Sequence, residues 1–319
     1  MNREKRYYPL NDFLKEKFGC KVYKVSLDAG FTCPNRDGSL SYNGCIYCDS
    51  RGSAAPIIDS RLSIRGQMEA GIAFGRRRYK AKKFIAYFQA FSNTYAPVEK
   101  LKKLYDEALD FEDVVGLSIS TRPDCAPNPV IDLIEGYAQN YHVWLEYGVQ
   151  SIHHRTLQLI NRQHSLADFI DATLRTKDRA INICAHVIIG LPGETRDEIL
   201  ETAKVISALR LDGIKIHSMY IVRGTKLEQM YKRGDYEPLT FEEYVSIASD
   251  FLELLPPDMV VQRLTGDCPK DILVAPKWTL DKQRVLTEIT EELKRRDSWQ
   301  GGRCLFTENF INLRSQRAR

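Results

Sequence analysis

The stretch FTCPNRDGSLSYNGCIYC, residues 31–48, carries Cys33, Cys45 and Cys48 in a C-x11-C-x2-C spacing, directly after the apolar run KVYKVSL at 21–27. Thiols two residues apart reach one metal centre from a single tight turn. Gly44, just before Cys45, lets the chain fold back around such a centre because it accepts backbone angles closed to other residues. Three thiolates from one loop leave one coordination position open. The set reads in three ways: thiols without chemistry, a zinc site, or an iron–sulfur cluster. Three cysteines crowded into 16 residues argue against the first. Structural zinc usually takes four protein ligands, and the first histidine in the chain is as distant as His142. A cluster held by three thiolates leaves one iron free to bind a small ligand.

Outward from this loop, strand-like and helix-like segments alternate. Short apolar, β-branched runs recur at 21–27, 83–89, 114–120, 142–149, 182–190 and 213–222, and read as buried parallel strands. Between them lie helical patterns at 97–109 and 129–139, the second opened by Pro129. Thr195 with Glu198, and Ser165 with Asp168, are capping-box pairs that start two further helices. Six strands with intervening helices predict an α/β fold with right-handed crossovers, either an open sheet or a curved partial barrel. After about residue 225 the rhythm changes to helices at 240–255 and 281–296 around the strand-like MVVQRL at 259–264. This predicts a core over 1–224 and a smaller C-terminal extension over 225–319, packed on it.

The chain has 319 residues, enough for one large domain or a domain with an appendage. Its composition, 43% hydrophobic and 28% charged, is that of a globular protein. No apolar run is long enough to span a bilayer, and the charged start MNREKRYYPLNDF lacks the apolar stretch of a secretory signal. A cytoplasmic protein with no membrane partner is the expectation. In a reducing compartment the eight cysteines are thiols or metal ligands. Cys184, in the apolar run INICAHVIIG, reads as packed core, and Cys20, Cys125, Cys268 and Cys304 have no partner at ligand spacing. A net charge of +4 permits nucleic-acid binding without arguing for it.

The motifs decide between sheet and barrel. DAGFTCPNRDG with GCIYC, AYFQAFSNTY, STRPDC, VWLEYGVQS, VIIGLPGE and QRLTGDCP with APKW together resemble the radical S-adenosylmethionine (SAM) superfamily, specifically its YhcC/YtqA-type family. The long first gap between cysteines, in place of the common C-x3-C-x2-C, resembles the branch of the elongator catalytic subunit. The resemblance covers nearly the whole chain. It implies a partial (β/α)6 barrel, with Cys33, Cys45 and Cys48 holding a 4Fe–4S cluster whose open iron chelates SAM. It also implies a one-electron donor such as flavodoxin or ferredoxin, and cleavage of SAM to a 5′-deoxyadenosyl radical that takes a hydrogen atom from substrate.

In a β/α barrel the active groups sit at the C-terminal ends of the strands. Gln89 ends the second strand, where the family's strand approaches the methionyl amine of SAM; bonding to loop backbone is the plainer role. Ser118 and Ser120 share a face of the third strand, placed for the SAM ribose, and Arg122 follows for an anionic group. Structural hydrogen bonds account for these residues nearly as well. Glu146, a carboxylate in the apolar VWLEYGV, must be paired or face a polar cavity; it and Gln150 are associated with SAM in the family. Arg162 matches the family's arginine for the SAM carboxylate, a task suited to a guanidinium; its alternative is a surface ion pair. Gly190, Leu191 and Gly193 form a tight turn that contacts adenine in the family. Lys215 and His217 share one face of the sixth strand and, with Asp267, are the candidate acid–base residues.

For substrate, transfer RNA is the leading expectation. RRRYKAKK at 76–83 puts six basic residues in eight positions around Tyr79, a pattern that suits phosphates or equally a solvated helix end. The branch most resembled is associated with the carbon-5 side chain of wobble uridine, which implies conversion of a carboxymethylaminomethyl group to aminomethyl. A radical SAM enzyme for a small metabolite and a non-catalytic, zinc-stabilised RNA-binding module are the alternatives.

Overall fold

The computed structural model describes residues 5–49, 52, 60–268 and 270–306. Helix α1 (Leu10–Phe18) precedes β1 (Val22–Leu27). After the cysteine loop come α2 (Ile64–Tyr79), β2 (Lys83–Phe88), α3 (Val98–Leu109), β3 (Val114–Thr121), α4 (Asn128–Ala138) and β4 (His142–Gln150). Then follow α5 (His154–Leu159), α6 (Leu166–Thr176), β5 (Asn182–Ile189), α7 (Arg196–Ala208) and β6 (Gly213–Ser218). The strands β1 to β6 pair in chain order and all run parallel, forming a half-barrel with helices on its outer side. Both expected capping boxes form, Ser165 with Asp168 and Thr195 with Glu198.

The sixth apolar run splits: β6 ends at Ser218 and Ile221–Val222 is a separate strand, β7. After α8 (Lys226–Arg233) and α9 (Phe241–Leu254), strand β8 (Val260–Arg263) joins the main sheet beside β6, parallel to it, as a seventh strand. Strand β9 (Leu273–Ala275) pairs antiparallel with β7, and α10 (Lys282–Arg295) follows. Residues beyond 224 thus supply a strand of the same sheet. Helix α9 packs its fully buried Ala248 and nearly buried Phe251 into the apolar layer that also holds Ile206 of α7 and Ile289 of α10.

Helix α1 closes the end of the barrel where the strands begin. Phe13 meets the ring of His142 at 5.4 Å and that of Trp144 at 5.9 Å, and Pro9 bridges to Val261 of β8. The basic stretch 76–83 lies at this end too. Lys83 opens β2 in register with Val22, the first residue of β1; Tyr79 stacks on Tyr23 at 5.2 Å, and Arg76 pairs with Asp113 ahead of β3. It is a solvated helix C-terminus, where cations complement the helix dipole, and it is opposite the loops that follow the strand ends.

Gly116 in β3 faces the backbone of its neighbour: a Cβ there would lie 2.6 Å from the carbonyl oxygen of His142. Backbone cannot yield by changing rotamer, so Gly116→Ala is expected to cost about 1–3 kcal/mol, read as a lowered urea midpoint. An unchanged midpoint would mean that β3 and β4 are less tightly held than this contact indicates. Burial pulls the His142 imidazole from 6.5 down to about 3. A lowered pKa gives stability present above the unfolded value and lost as pH falls towards the folded one. Unfolding free energy should therefore decline from pH 6.5 towards 3, and His142→Gln should flatten part of that slope.

Candidate active site

The cysteine loop is held in shape by its own backbone hydrogen bonds. The amides of Arg36 and Asp37 donate to the carbonyl of Cys33 at 2.8 and 3.1 Å, Gly44 donates to Asn35 at 2.7 Å, and Cys48 donates to Cys45 at 3.0 Å. Gly44 has φ +67°, the left-handed region expected of it. The loop is tied to the segment after α5. Asn35 donates to the Asn161 carbonyl, Asn161 returns a side-chain bond to the Gly44 carbonyl, both at 2.6 Å, and the Ile46 amide donates to Ile160.

The sulfurs are met by cations and amides. Arg162 Nη1 and Asn35 Nδ2 point at Cys45 Sγ at 3.7 and 3.6 Å, and Arg36 Nη1 donates to Cys48 Sγ at 3.4 Å. These donors favour a negatively charged centre held by thiolates. A single ion with Zn–S bonds of about 2.3 Å would hold its sulfurs no more than about 4.6 Å apart. Among the described residues only Glu146, Cys184 and His186 bring three ligand atoms within 4.8 Å of one another; Cys33, Cys45 and Cys48 do not. Three thiolates with amide and guanidinium donors on their sulfurs fit an iron–sulfur cluster.

A cleft opens beside this loop at the C-terminal ends of the strands. Cys33, Cys45, Cys48, Gln89, Ser120, Arg122, Gln150, Arg162, Lys215, His217 and Asp267 all line it, so the fold gathers eleven of the sequence-derived residues around one cleft. Arg162 lies between Cys45 and the Gly148 carbonyl, to which Nη2 donates at 2.7 Å, while Nε donates to His164 Nε2. Arg122 is held by Asp124 through two bonds of 2.9 and 2.7 Å. Gln150, Ala90 and Phe91 take left-handed backbone angles, strain of a kind that collects at functional sites.

Glu146 and Ser118 lie beneath the cleft instead of on its wall. Glu146 is fully buried and both its oxygens are taken. Oε1 accepts from Lys24 Nζ at 2.8 Å and from Ser118, and Oε2 accepts from Ser120 at 3.2 Å, His186 Nε2 at 2.7 Å and Lys215. Although burial raises a carboxyl's pKa, the cations Lys215 and Lys24 win and hold Glu146 well below the carboxylate range. Lys215 also donates to Tyr87 OH at 2.8 Å. The Gly190–Gly193 turn, too, is absent from the cleft wall. Leu191 packs with Ile46, Leu157 and Ile160, and the Gly190 carbonyl accepts from Tyr236 OH, so the turn braces the cysteine loop from behind. Cys268 packs with Val222 and Leu273; Pro269 in the same motif lies outside the described residues.

Several lining residues were not singled out from sequence: Arg36, Tyr87, His186, Tyr220 and Arg263, with Lys24 beneath them. For Lys24, Tyr87, His186 and Arg263 the available signal was a polar or titratable side chain inside an otherwise apolar strand, since such a residue in a buried sheet must face a polar interior; Arg36 and Tyr220 lie outside the strands.

The comparisons agree with this geometry. A sequence model of the Radical SAM superfamily matches residues 37–206, and one of the Radical_SAM C-terminal domain matches 211–295. YtqA of Bacillus subtilis is 42% identical over 307 residues, covering 94% of this chain and 93% of its own. A tRNA uridine(34) acetyltransferase of Methanocaldococcus infernus is 31% identical over 164 residues, covering 50% of this chain and 30% of its own. In fold, the archaeal Methanocaldococcus infernus Elp3 superposes with a TM-score of 0.66 at 20% identity, over 86% of this chain and 63% of that one.

Replacing Glu146 by Gln leaves Lys24 and Lys215 buried without a counter-charge. Removing one partner of a buried pair costs about 3–5 kcal/mol, so Glu146→Gln should lose that much in denaturant unfolding. A loss below about 1 kcal/mol would show that water reaches the two lysines.

Proposed function

The chain belongs to the radical SAM superfamily, in its YhcC/YtqA-type family, and on that premise we propose that it modifies the carbon-5 side chain of wobble uridine in tRNA, converting carboxymethylaminomethyl to aminomethyl, with water releasing the carboxymethyl carbons as glyoxylate and SAM serving as the two-electron oxidant. The family's cofactors are a 4Fe–4S cluster and SAM. When bound, they supply the reductive cleavage of SAM and the 5′-deoxyadenosyl radical that removes a hydrogen atom from substrate.

The chain's own groups divide the remaining work. Cys33, Cys45 and Cys48 would hold the cluster, with Arg36, Asn35 and Arg162 donating to its sulfurs. Gln89, Ser120, Gln150 and Arg162 line the cleft beside it and would orient SAM, the guanidinium being suited to a carboxylate. Lys215, held by Glu146 and Tyr87, and His217 also line the cleft and would be the groups that meet substrate. Burial and Arg263 keep the His217 pKa well below the imidazole range, so it is a neutral donor or acceptor.

The tRNA assignment is carried by the similarity to a tRNA uridine(34) acetyltransferase across half of this chain. Tyr42, 81% exposed on the cysteine loop, gives that loop an aromatic face of the kind on which unpaired bases stack. The basic stretch 76–83, at the far end of the barrel, gives this reading no support.

The test is anaerobic reconstitution with iron and sulfide, then dithionite and SAM, comparing wild type with Cys45→Ala. 5′-Deoxyadenosine is expected from wild type alone. Added tRNA bearing carboxymethylaminomethyluridine should yield aminomethyluridine by nucleoside mass spectrometry. Deoxyadenosine with unaltered tRNA would sink the substrate assignment and favour a small metabolite.

A further inference from the structure

We propose that Arg263, with Lys215 and His217 beside it on the cleft floor, is the subsite that receives a carboxylate of the substrate. The inference rests on the reading of the cleft as the substrate site and names the group that the site recognises.

The other cations of the cleft wall are already engaged. Arg122 is bound by Asp124, Arg36 by the Asp49 carbonyl and Lys215 by Glu146, while Arg162, which also donates to the Gly148 carbonyl and His164, is the arginine assigned above to the SAM carboxylate. Arg263 differs. It approaches only Asp267 Oδ2, at 3.9 Å, too far for a hydrogen bond, and Asp267 is itself taken by Lys282. Among the described residues the Arg263 guanidinium donates no hydrogen bond, and its side chain, 33% exposed, lines both the cleft and a second cavity beside Tyr7, Pro9 and Asn11. His217 likewise meets a ring neighbour, His186, at 5.5 Å but no hydrogen-bond partner among the described residues.

The charge balance points the same way. Arg263 acts electrostatically on Tyr87, His186, Lys215, His217 and Tyr220. The acids around this floor are Glu146, spent on Lys24 and Lys215, Asp267, whose Oδ1 is taken by Lys282 while Oδ2 faces Arg263 at 3.9 Å, and Asp49, which acts on Tyr220. A guanidinium with unused planar donors beside a second cation and a neutral imidazole is a bidentate receptor for a carboxylate. Its place at the end of β8, next to β6, puts it on the floor among the strand ends. An anion at the tip of an inserted side chain reaches such a position more readily than the phosphates of a folded RNA.

The test uses reconstituted holoenzyme with SAM and two anticodon stem-loops that differ only at the wobble base, carboxymethylaminomethyluridine against aminomethyluridine, together with the two free nucleosides. Wild type should bind the carboxylate-bearing stem-loop roughly 10-fold or more tightly, the worth of a charged hydrogen-bonded pair. Arg263→Gln should erase the preference and Arg263→Lys should restore part of it. A preference shown by the nucleosides and lost in Arg263→Gln, with no binding of either stem-loop, supports the subsite and removes the tRNA reading. Equal binding of both stem-loops by wild type overturns the subsite and leaves the tRNA reading intact. A loss of SAM affinity in Arg263→Gln as large as the loss of substrate affinity also overturns it, by assigning the arginine to the cofactor.

Discussion

The buried carboxylate of Glu146 is the constraint around which the barrel interior is arranged. It has no exposure to water and collects donors from β1, β3, β5 and β6. A lone carboxylate at such a site costs several kcal/mol to desolvate. The cost is offset only because Lys24 and Lys215 bring opposite charge and Ser118, Ser120 and His186 fill its remaining acceptor positions. Lys24 also reaches Gln262 of β8 at 3.1 Å, so the network spans the opening between the first and last strands of the sheet. One set of contacts thus ties β1, β3, β5, β6 and β8 together beneath the cleft.

That floor determines what the cleft can do. Lys215 reaches it already engaged, its ammonium shared between Glu146 and Tyr87, and burial draws its pKa down while Glu146 pulls it up. Arg263 reaches it without a hydrogen-bond partner among the described residues. At the opposite wall the guanidinium groups of Arg36 and Arg162 face sulfur. The cleft thus carries positive charge on two sides, one facing the cysteine sulfurs and the other at the end of β8. Charge-assisted hydrogen bonds are strong in such a partly enclosed space, and leaving them unmade is costly.

The C-terminal region shares in the site. β8 carries Arg263, Asp267 follows it, and Lys282 at the start of α10 fixes Asp267. Helix α1 works from the other end, sealing the barrel base with Phe13 against His142 and Trp144.

Local features of this architecture were legible in the residues themselves. Five of the six apolar runs are single strands close to the expected bounds, both capping boxes form, and the three cysteines sit in one turn-rich loop after β1, because period, cap and turn are properties of neighbours along the chain. Lys215 and His217 share a face for the same reason. What the tertiary structure alone decided is which distant residues meet. It set the basic stretch 76–83 at the base of the barrel, moved the Gly190–Gly193 turn behind the cysteine loop, sank Glu146 and Ser118 below the cleft, and joined β8 to the sheet. These outcomes follow from the curvature and register of seven paired strands, and pairing between segments far apart in the chain leaves no mark in the periodicity of either one.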